Sequence, residues 1–252
     1  MSFAAGFSQA SAADLLPAPQ SWTPQGWLLA VPPVPPLWTG PYAGVQVGGG
    51  FARDGLSFVY LGQTIPTLGA LTTYNPSGAF GGMHIGYNFE HQASVLGVEA
   101  DIEGAGLRGT LSWSDPVNAP GYSASASTMI NWQGSIRVRA GLTPDGFSLF
   151  YVTGGVAFAG IKDVYSVTLP SPNIFGIAGG TYSKSFPDTK VGYTIGAGLE
   201  HVFTPAITAR VEYRFTDFGK YQNDVSQYVP GLAIGQHLYV HSVRVGASYH
   251  FL

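Results

Sequence analysis

The segment that most constrains this chain is Ile207–Thr216, I-T-A-R-V-E-Y-R-F-T, in which apolar and polar residues alternate without a break. Strand side chains point to opposite faces with a period of two. Ile207, Ala209, Val211, Tyr213 and Phe215 therefore share one face, and Thr208, Arg210, Glu212, Arg214 and Thr216 the other. Such a run fits a tilted membrane-crossing strand of roughly 9 to 11 residues better than the strands of soluble domains, usually about 5 or 6. A strand greasy on one side and charged on the other belongs to a sheet that separates two environments.

Charged residues make up 10% of the chain against about 25% in a typical soluble domain, so little of its surface is meant for water. No run of roughly 18 apolar residues occurs, which excludes a transmembrane helix. A closed β-barrel is the other structure that satisfies every backbone hydrogen bond in lipid. The net charge of -3 offers no basic patch for nucleic acid. The absence of Cys excludes disulfides and thiolate metal sites.

Alternation predicts eight strands, at 40–51, 78–89, 94–104, 128–141, 148–160, 189–201, 207–216 and 238–251. In the fourth, Ile130, Trp132, Ile136, Val138 and Ala140 share the apolar face. Short polar turns follow strands two, four and six, around Glu90–Ala93, Thr143–Gly146 and Thr204-Pro205. Stretches of twenty or more residues (52–77, 105–127, 161–188 and 217–237) follow the others and are expected to be loops. Short turns at one end and long connections at the other are the pattern of an outer-membrane barrel, the short turns being periplasmic. The predicted fold is all-β, an eight-stranded antiparallel up-and-down transmembrane barrel.

The first 39 residues differ. Ala10-Ser11-Ala12 has the small-residue spacing of a signal-peptidase site, so residues 1–12 are expected to be a clipped signal peptide. Residues 13–39 carry seven prolines and are expected to form an extended periplasmic leader, with the barrel at 40–252.

Ten charges fall on the polar faces of the predicted strands: Glu99, Asp101, Glu103, Arg137, Arg139, Glu200, Arg210, Glu212, Arg214 and Arg244. Cations facing lipid at the bilayer midplane cost about 2–4 kcal/mol, so this face is expected to line the lumen. Five positive and five negative groups balance there and can pair. The aromatics Tyr87, Phe89, Trp132, Tyr213, Phe215, Tyr249 and Phe251 lie on the apolar faces, toward strand ends, as interfacial girdles require. A soluble lipocalin- or avidin-like barrel would invert the two faces. Low total charge and the outward aromatics oppose that reading.

Several segments resemble the small outer-membrane barrel family of Brucella and rhizobial bacteria, which is porin-like and shares the OmpA-type transmembrane barrel. They are Trp38–Gly44, Gly81–Asn88, Gly97–Asp101, Arg137–Gly141, Gly196–Glu200 and Arg210–Phe215. The resemblance implies a Gram-negative cell outer membrane protein that helps maintain the envelope and contacts outer-membrane lipid and lipopolysaccharide. It also implies recognition of the C-terminal strand by the barrel assembly machinery. Family members usually end on an aromatic residue, whereas here Leu252 follows Phe251.

The function expected is structural, with a lumen filled by the Arg/Glu/Asp network and surface contacts made by the long connections. Eight strands leave an interior just wide enough for side chains. A small-solute pore is the alternative, since inward Gly44, Gly48, Gly82, Gly86, Gly192, Gly196 and Gly198 leave room. An adhesin and a lipid A-modifying enzyme rank below it. No His and Ser have a local spacing of base and nucleophile. His237 and His241 stand about 13 Å apart in a strand, too far to share a metal. No catalytic residue, cofactor or metal site is read from the chain.

Overall fold

The computed structural model describes residues 37–60, 63–64, 73–117, 119–171, 178–224 and 232–251. The expected signal remnant and leader residues 13–36 lie outside the described residues.

Eight long strands form the fold: β1 Gly40–Tyr60, β2 Ser77–His91, β3 Ser94–Asp115, β4 Ala119–Leu142, β5 Ser148–Leu169, β6 Gly180–Thr204, β7 Ile207–Asp224 and β8 Leu232–His250. Two two-residue pieces, Gln63–Thr64 and Thr73–Tyr74, pair with β1 in the connection to β2. Each long strand pairs antiparallel with the next, and β8 returns to β1 from Tyr42↔His250 to Tyr60↔Leu232. Closure removes the sheet edges that lipid does not tolerate.

One end carries the short turns. In the β4–β5 turn Gly146 adopts φ +76°, and Asp145 Oδ1 accepts from the amides of Phe147 and Ser148 at 2.9 and 2.6 Å. The start of β1 and the end of β8 lie at this same, periplasmic end. Trp38 belongs there too. Placed by sequence in the extended leader, it is fully buried in the mouth of the barrel, packed with Val95, Leu149 and Tyr151. Its amide donates to Glu90 Oε2 at 3.2 Å and its indole Nε1 to the Gly146 carbonyl at 3.1 Å.

From Leu142 to Trp132, β4 presents Leu142, Val138, Ile136 and Trp132 outward and exposed. Ten steps of roughly 3.3 Å at a tilt of roughly 40° span about 25 Å, the height of the apolar band of such barrels. The strand then runs on to Ala119.

This is the main departure from expectation: much of the stretches expected to be loops is strand. Residues 105–115, 119–127, 161–169 and 180–188 all continue the sheet. Beyond the lipid the outward face need not be apolar, so greasy–polar alternation fades while the hydrogen-bonded ladder continues. Irregular pairing marks the crossing, at Gly104/Leu107 on β3, Ile130/Trp132 on β4 and His237/Tyr239 on β8 opposite Gly219. One consequence corrects a side-chain assignment. Ile130, expected beside Trp132 on the lipid face, is fully buried in the lumen, because a bulge at Asn131 reverses the strand's parity.

Candidate functional site: the barrel lumen

Two-residue steps along the strands aim the polar faces inward. Glu99, Asp101 and Glu103 follow one another on β3, Arg137 and Arg139 on β4, and Arg210, Glu212 and Arg214 on β7. Glu200 comes from β6 and Arg244 from β8. None of the ten is more than 9% exposed.

They form one connected network. Arg137 is its hub: Nη2 reaches Glu99 and lies 3.0 Å from Asp101 Oδ2, while Nη1 lies 3.0 Å from Glu212 Oε1. Arg214 joins Glu212 at 2.7 Å to Asp101 at 3.1 Å. Arg210 pairs with Glu99, and its other terminal nitrogen donates to Gln46. Gln46 in turn donates to Glu103 at 2.6 Å. Arg244 grips Glu103 with two parallel bonds, Nε to Oε1 and Nη2 to Oε2, each 3.0 Å. Toward the periplasm Arg139 pairs with Glu200 at 2.7 Å and lies over the Tyr151 ring at 4.3 Å. Tyr42 donates to Glu99 at 2.7 Å, Ser135 to Asp101 at 2.6 Å and Gln133 to Glu103 at 2.6 Å. A buried carboxylate needs such multiple donors to offset lost hydration.

Sequence reasoning did not find the layers on either side. Below lies the floor of Trp38, Leu149 and Val95. Above, Phe80, Leu107, Ile130, Ile161, Phe218 and Leu238 close an apolar layer across the lumen. Above that, a second polar layer surrounds Asp54 and Asp163. Thr128 Oγ1 lies 2.9 Å from Asp54 and 2.6 Å from Asp163, Asn223 donates to Asp163 at 3.1 Å and Gln236 to Asp54 at 2.8 Å. The signal for these residues was inward parity, readable once the strands are known to continue past 52, 127, 161 and 217.

Four of the seven inward glycines are covered by rings rather than open. A Cβ on Gly198 would meet the Tyr151 ring at 2.6 Å, one on Gly48 the Phe80 ring at 2.5 Å and one on Gly44 the His84 ring at 2.5 Å. Tyr42 lies in the same way over Gly86. Between the charge network and the apolar layer a cavity of about 10 Å³ remains, lined by Asp101, Gln133, Ser135, Arg214 and Arg244. That is about the room of one water.

The expected girdle residues face outward. Tyr87, Phe89, Tyr249 and Phe251 lie near the periplasmic rim, Trp132, Tyr213 and Phe215 toward the outer side, and all but the half-buried Phe215 are exposed. Tyr213 Oη lies 2.6 Å from His241 Nδ1, and Phe215 packs on Tyr239 and His241.

The sequence matches the family described as the outer membrane protein beta-barrel domain over residues 28–251. This chain belongs to that family. It is 31% identical over 217 residues to the 31 kDa outer-membrane immunogenic protein of Brucella melitensis, covering 85% of this chain and 84% of that one. It is 32% identical over 160 residues to the 22 kDa outer membrane protein of Rhizobium leguminosarum bv. viciae, covering 60% and 62% of the two chains. Among solved structures it resembles the outer membrane protein OprG from Pseudomonas aeruginosa, with a TM-score of 0.49 and 11% identity over 84% of this chain and 97% of that one. Like the rest of this barrel family, the protein resides in the outer membrane.

Among the described residues of this outer-membrane barrel, folding brings Ser and His together in two places. His84 Nε2 lies 2.9 Å from Ser248 Oγ, and both are buried in the packed lumen. At the periplasmic rim Ser148 Oγ lies 2.8 Å from Asp145 and 3.0 Å from His201 Nδ1. There the serine sits between acid and imidazole, whereas nucleophilic activation requires the imidazole in the middle.

Proposed function

We propose that the protein is a non-conducting structural barrel that stiffens the outer membrane and makes lateral contacts through its extended extracellular wall, without enzymatic activity. The observation that carries this reading is the layering of the lumen. An apolar floor, a neutral charge network and a second apolar layer succeed one another along the axis, and each obstructs what the others would admit. Ions are opposed by the dry layers, and apolar solutes by the paired charges. A small-solute pore would need the space beside inward glycines, which rings occupy at Gly44, Gly48, Gly86 and Gly198. Absence of catalysis is supported by the burial of the His84–Ser248 pair and the order of the Asp145–Ser148–His201 contacts. Insertion fits recognition of β8 by the barrel assembly machinery, since its end presents Tyr249 and Phe251 outward.

Planar-bilayer recording of the purified monomer tests this proposal. A silent membrane is expected after insertion has been verified by heat-modifiable migration on a gel. Reproducible single-channel steps would overturn it.

A further inference from the structure

Above the apolar band the outward face of β3–β6 changes character in a defined order. Just beyond Trp132 comes a rung in which Arg108, Met129, Lys162 and Pro187 are side-by-side neighbours. Neither Arg108 nor Lys162 has an acidic partner among the described residues. The next outward rung is Thr110, Ser127, Val164 and Ser185. The one after it is Ser112, Ser125, Ser166 and Ser183, and the last is Ser114, Ser123, Thr168 and Thr181. Three, four and four hydroxyls make eleven in twelve positions, with no charge among them. The spacing is about 4.8 Å between strands and about 6.7 Å along them.

This wall is a supported sheet. Behind it Leu111, Ala126, Tyr165 and Phe186 pack around Ile234 inside the barrel. Several hydroxyls bond one another across strands, Thr110 with Ser127 and Ser183 with Ser166 at 2.8 Å, and Thr168 with Thr181 at 3.0 Å. A hydroxyl donates once and accepts twice, so acceptors and unspent donors still face outward. At similar height the β7–β8 wall carries Asp217, Lys220 and His237 instead, with His237 and Asp217 paired at 3.1 Å.

The strands are continuous with the lipid-facing wall, so the lattice looks sideways into the layer directly above the hydrocarbon. From the membrane outward the surface reads apolar, cationic, then neutral and hydroxyl-rich. That is the order of acyl chains, phosphates and sugars in an outer-leaflet glycolipid. We propose that the β3–β6 wall is a lateral docking surface for that glycolipid, with Arg108 and Lys162 at its phosphates and the Ser/Thr lattice on its neutral core sugars. Sugar hydroxyls both donate and accept, which an array of Ser and Thr matches. Individual exposed hydrogen bonds are weak, so the sugars bind when membrane anchoring holds them beside the wall at high effective concentration. The proposal rests on outer-membrane residence and is independent of whether the lumen conducts.

Two variants that differ only in hydroxyls provide the test. Ser112, Ser125, Ser166 and Ser183 are all changed to Thr in one and to Val, the isostere of Thr, in the other. Each protein is placed in nanodiscs holding equal amounts of glycolipid with a complete core and of lipid A alone. Glycolipid retained after mild detergent extraction is counted by native mass spectrometry. The wild type and the Thr variant are expected to prefer the core-bearing form by roughly 3- to 10-fold, the worth of about one net hydrogen bond. The Val variant is expected to retain both forms equally. Arg108→Gln with Lys162→Gln should lower retention of both forms and leave the preference intact. Equal retention by the wild type, or identical preference in the Thr and Val variants, overturns the proposal. Should the fourfold Val variant not show heat-modifiable migration, Ser125→Val with Ser166→Val is compared with its Thr counterpart under the same criteria.

Discussion

Arg137, 1% exposed, touches three carboxylates from two strands, and its cost of burial is tolerable only because all three are present. Removing one member of such a network leaves an uncompensated charge. Arg137→Ala and Glu212→Ala are each expected to lower stability in detergent by about 3–5 kcal/mol, read as a shift in the unfolding midpoint. Thr216→Ala, which loses a 2.9 Å bond to Thr194 between neutral hydroxyls, should cost about 1 kcal/mol. The Arg244–Glu103 pair separates charge from packing. Arg244→Met and Glu103→Leu should each destabilise strongly, while the double variant recovers most of the loss, because two apolar groups leave no orphaned charge. A double variant no more stable than its parents would show that the pair's hydrogen bonds to Gln46 and Gln133 matter more than its charge balance.

Among the elements, β4 shows how a strand negotiates the water line. Its bulge at Asn131 sends Ile130 inward and lays Trp132 against β5, where a Cβ on Gly160 would lie within 2.6 Å of the indole Cδ1. All three nearest atoms at Gly160 belong to that indole. Gly160→Ala is therefore expected to cost about 1–3 kcal/mol in the wild type and little in a Trp132→Ala background. Equal costs in both backgrounds would place the strain in the backbone. The β4–β5 turn makes a pH-dependent prediction. Amide donation from Ser148, with help from its hydroxyl and from Phe147, holds the Asp145 carboxyl below its ordinary value of 3.8. A depressed carboxyl contributes stability above the unfolded-state value and loses it as pH falls through the folded one. The advantage of the wild type over Asp145→Asn should thus be full at pH 5 and above and shrink below about pH 3.8. Unfolding midpoints measured across that range would show it.

At the scale of the molecule, the barrel is much taller than the membrane. Strands of 22, 24, 22 and 25 residues in β3–β6 carry the sheet well past an apolar band that about ten residues cross. Amide exchange in detergent or nanodiscs is expected to follow that division. Residues 132–142 of β4 should stay protected for the longest times, and residues 120–130 should exchange sooner, because water reaches their outer face. The outer part of β6 should exchange soonest among the long strands, since its described pairing with β7 begins only at Tyr193↔Asp217 while its other side is paired with β5. Uniform protection along β4 would show that the outer wall is as inaccessible as the membrane band.

Alternation in Ile207–Thr216 and its counterparts determined the eight crossing strands, their inner and outer faces and the ten charges of the lumen, because lipid penalises polar side chains and so writes a period of two into the sequence. Where that penalty ends, so does the signal. Only the tertiary structure decided that residues 105–115, 119–127, 161–169 and 180–188 continue the wall, since Ser and Thr facing water obey no apolar rule. Trp38 reads as part of a proline-rich tail until the closed mouth gives its indole a place, and Ile130 reads as lipid-facing until the bulge before Trp132 turns it inward. Which arginine meets which carboxylate depends on closing the ring, because Arg137 and Glu212 are far apart in the chain and meet only across the lumen. The alternating charges of Arg210, Glu212 and Arg214 were legible as an inward face. That they are sealed between two apolar layers was not, because those layers are assembled from residues of separate strands that meet only in the closed barrel.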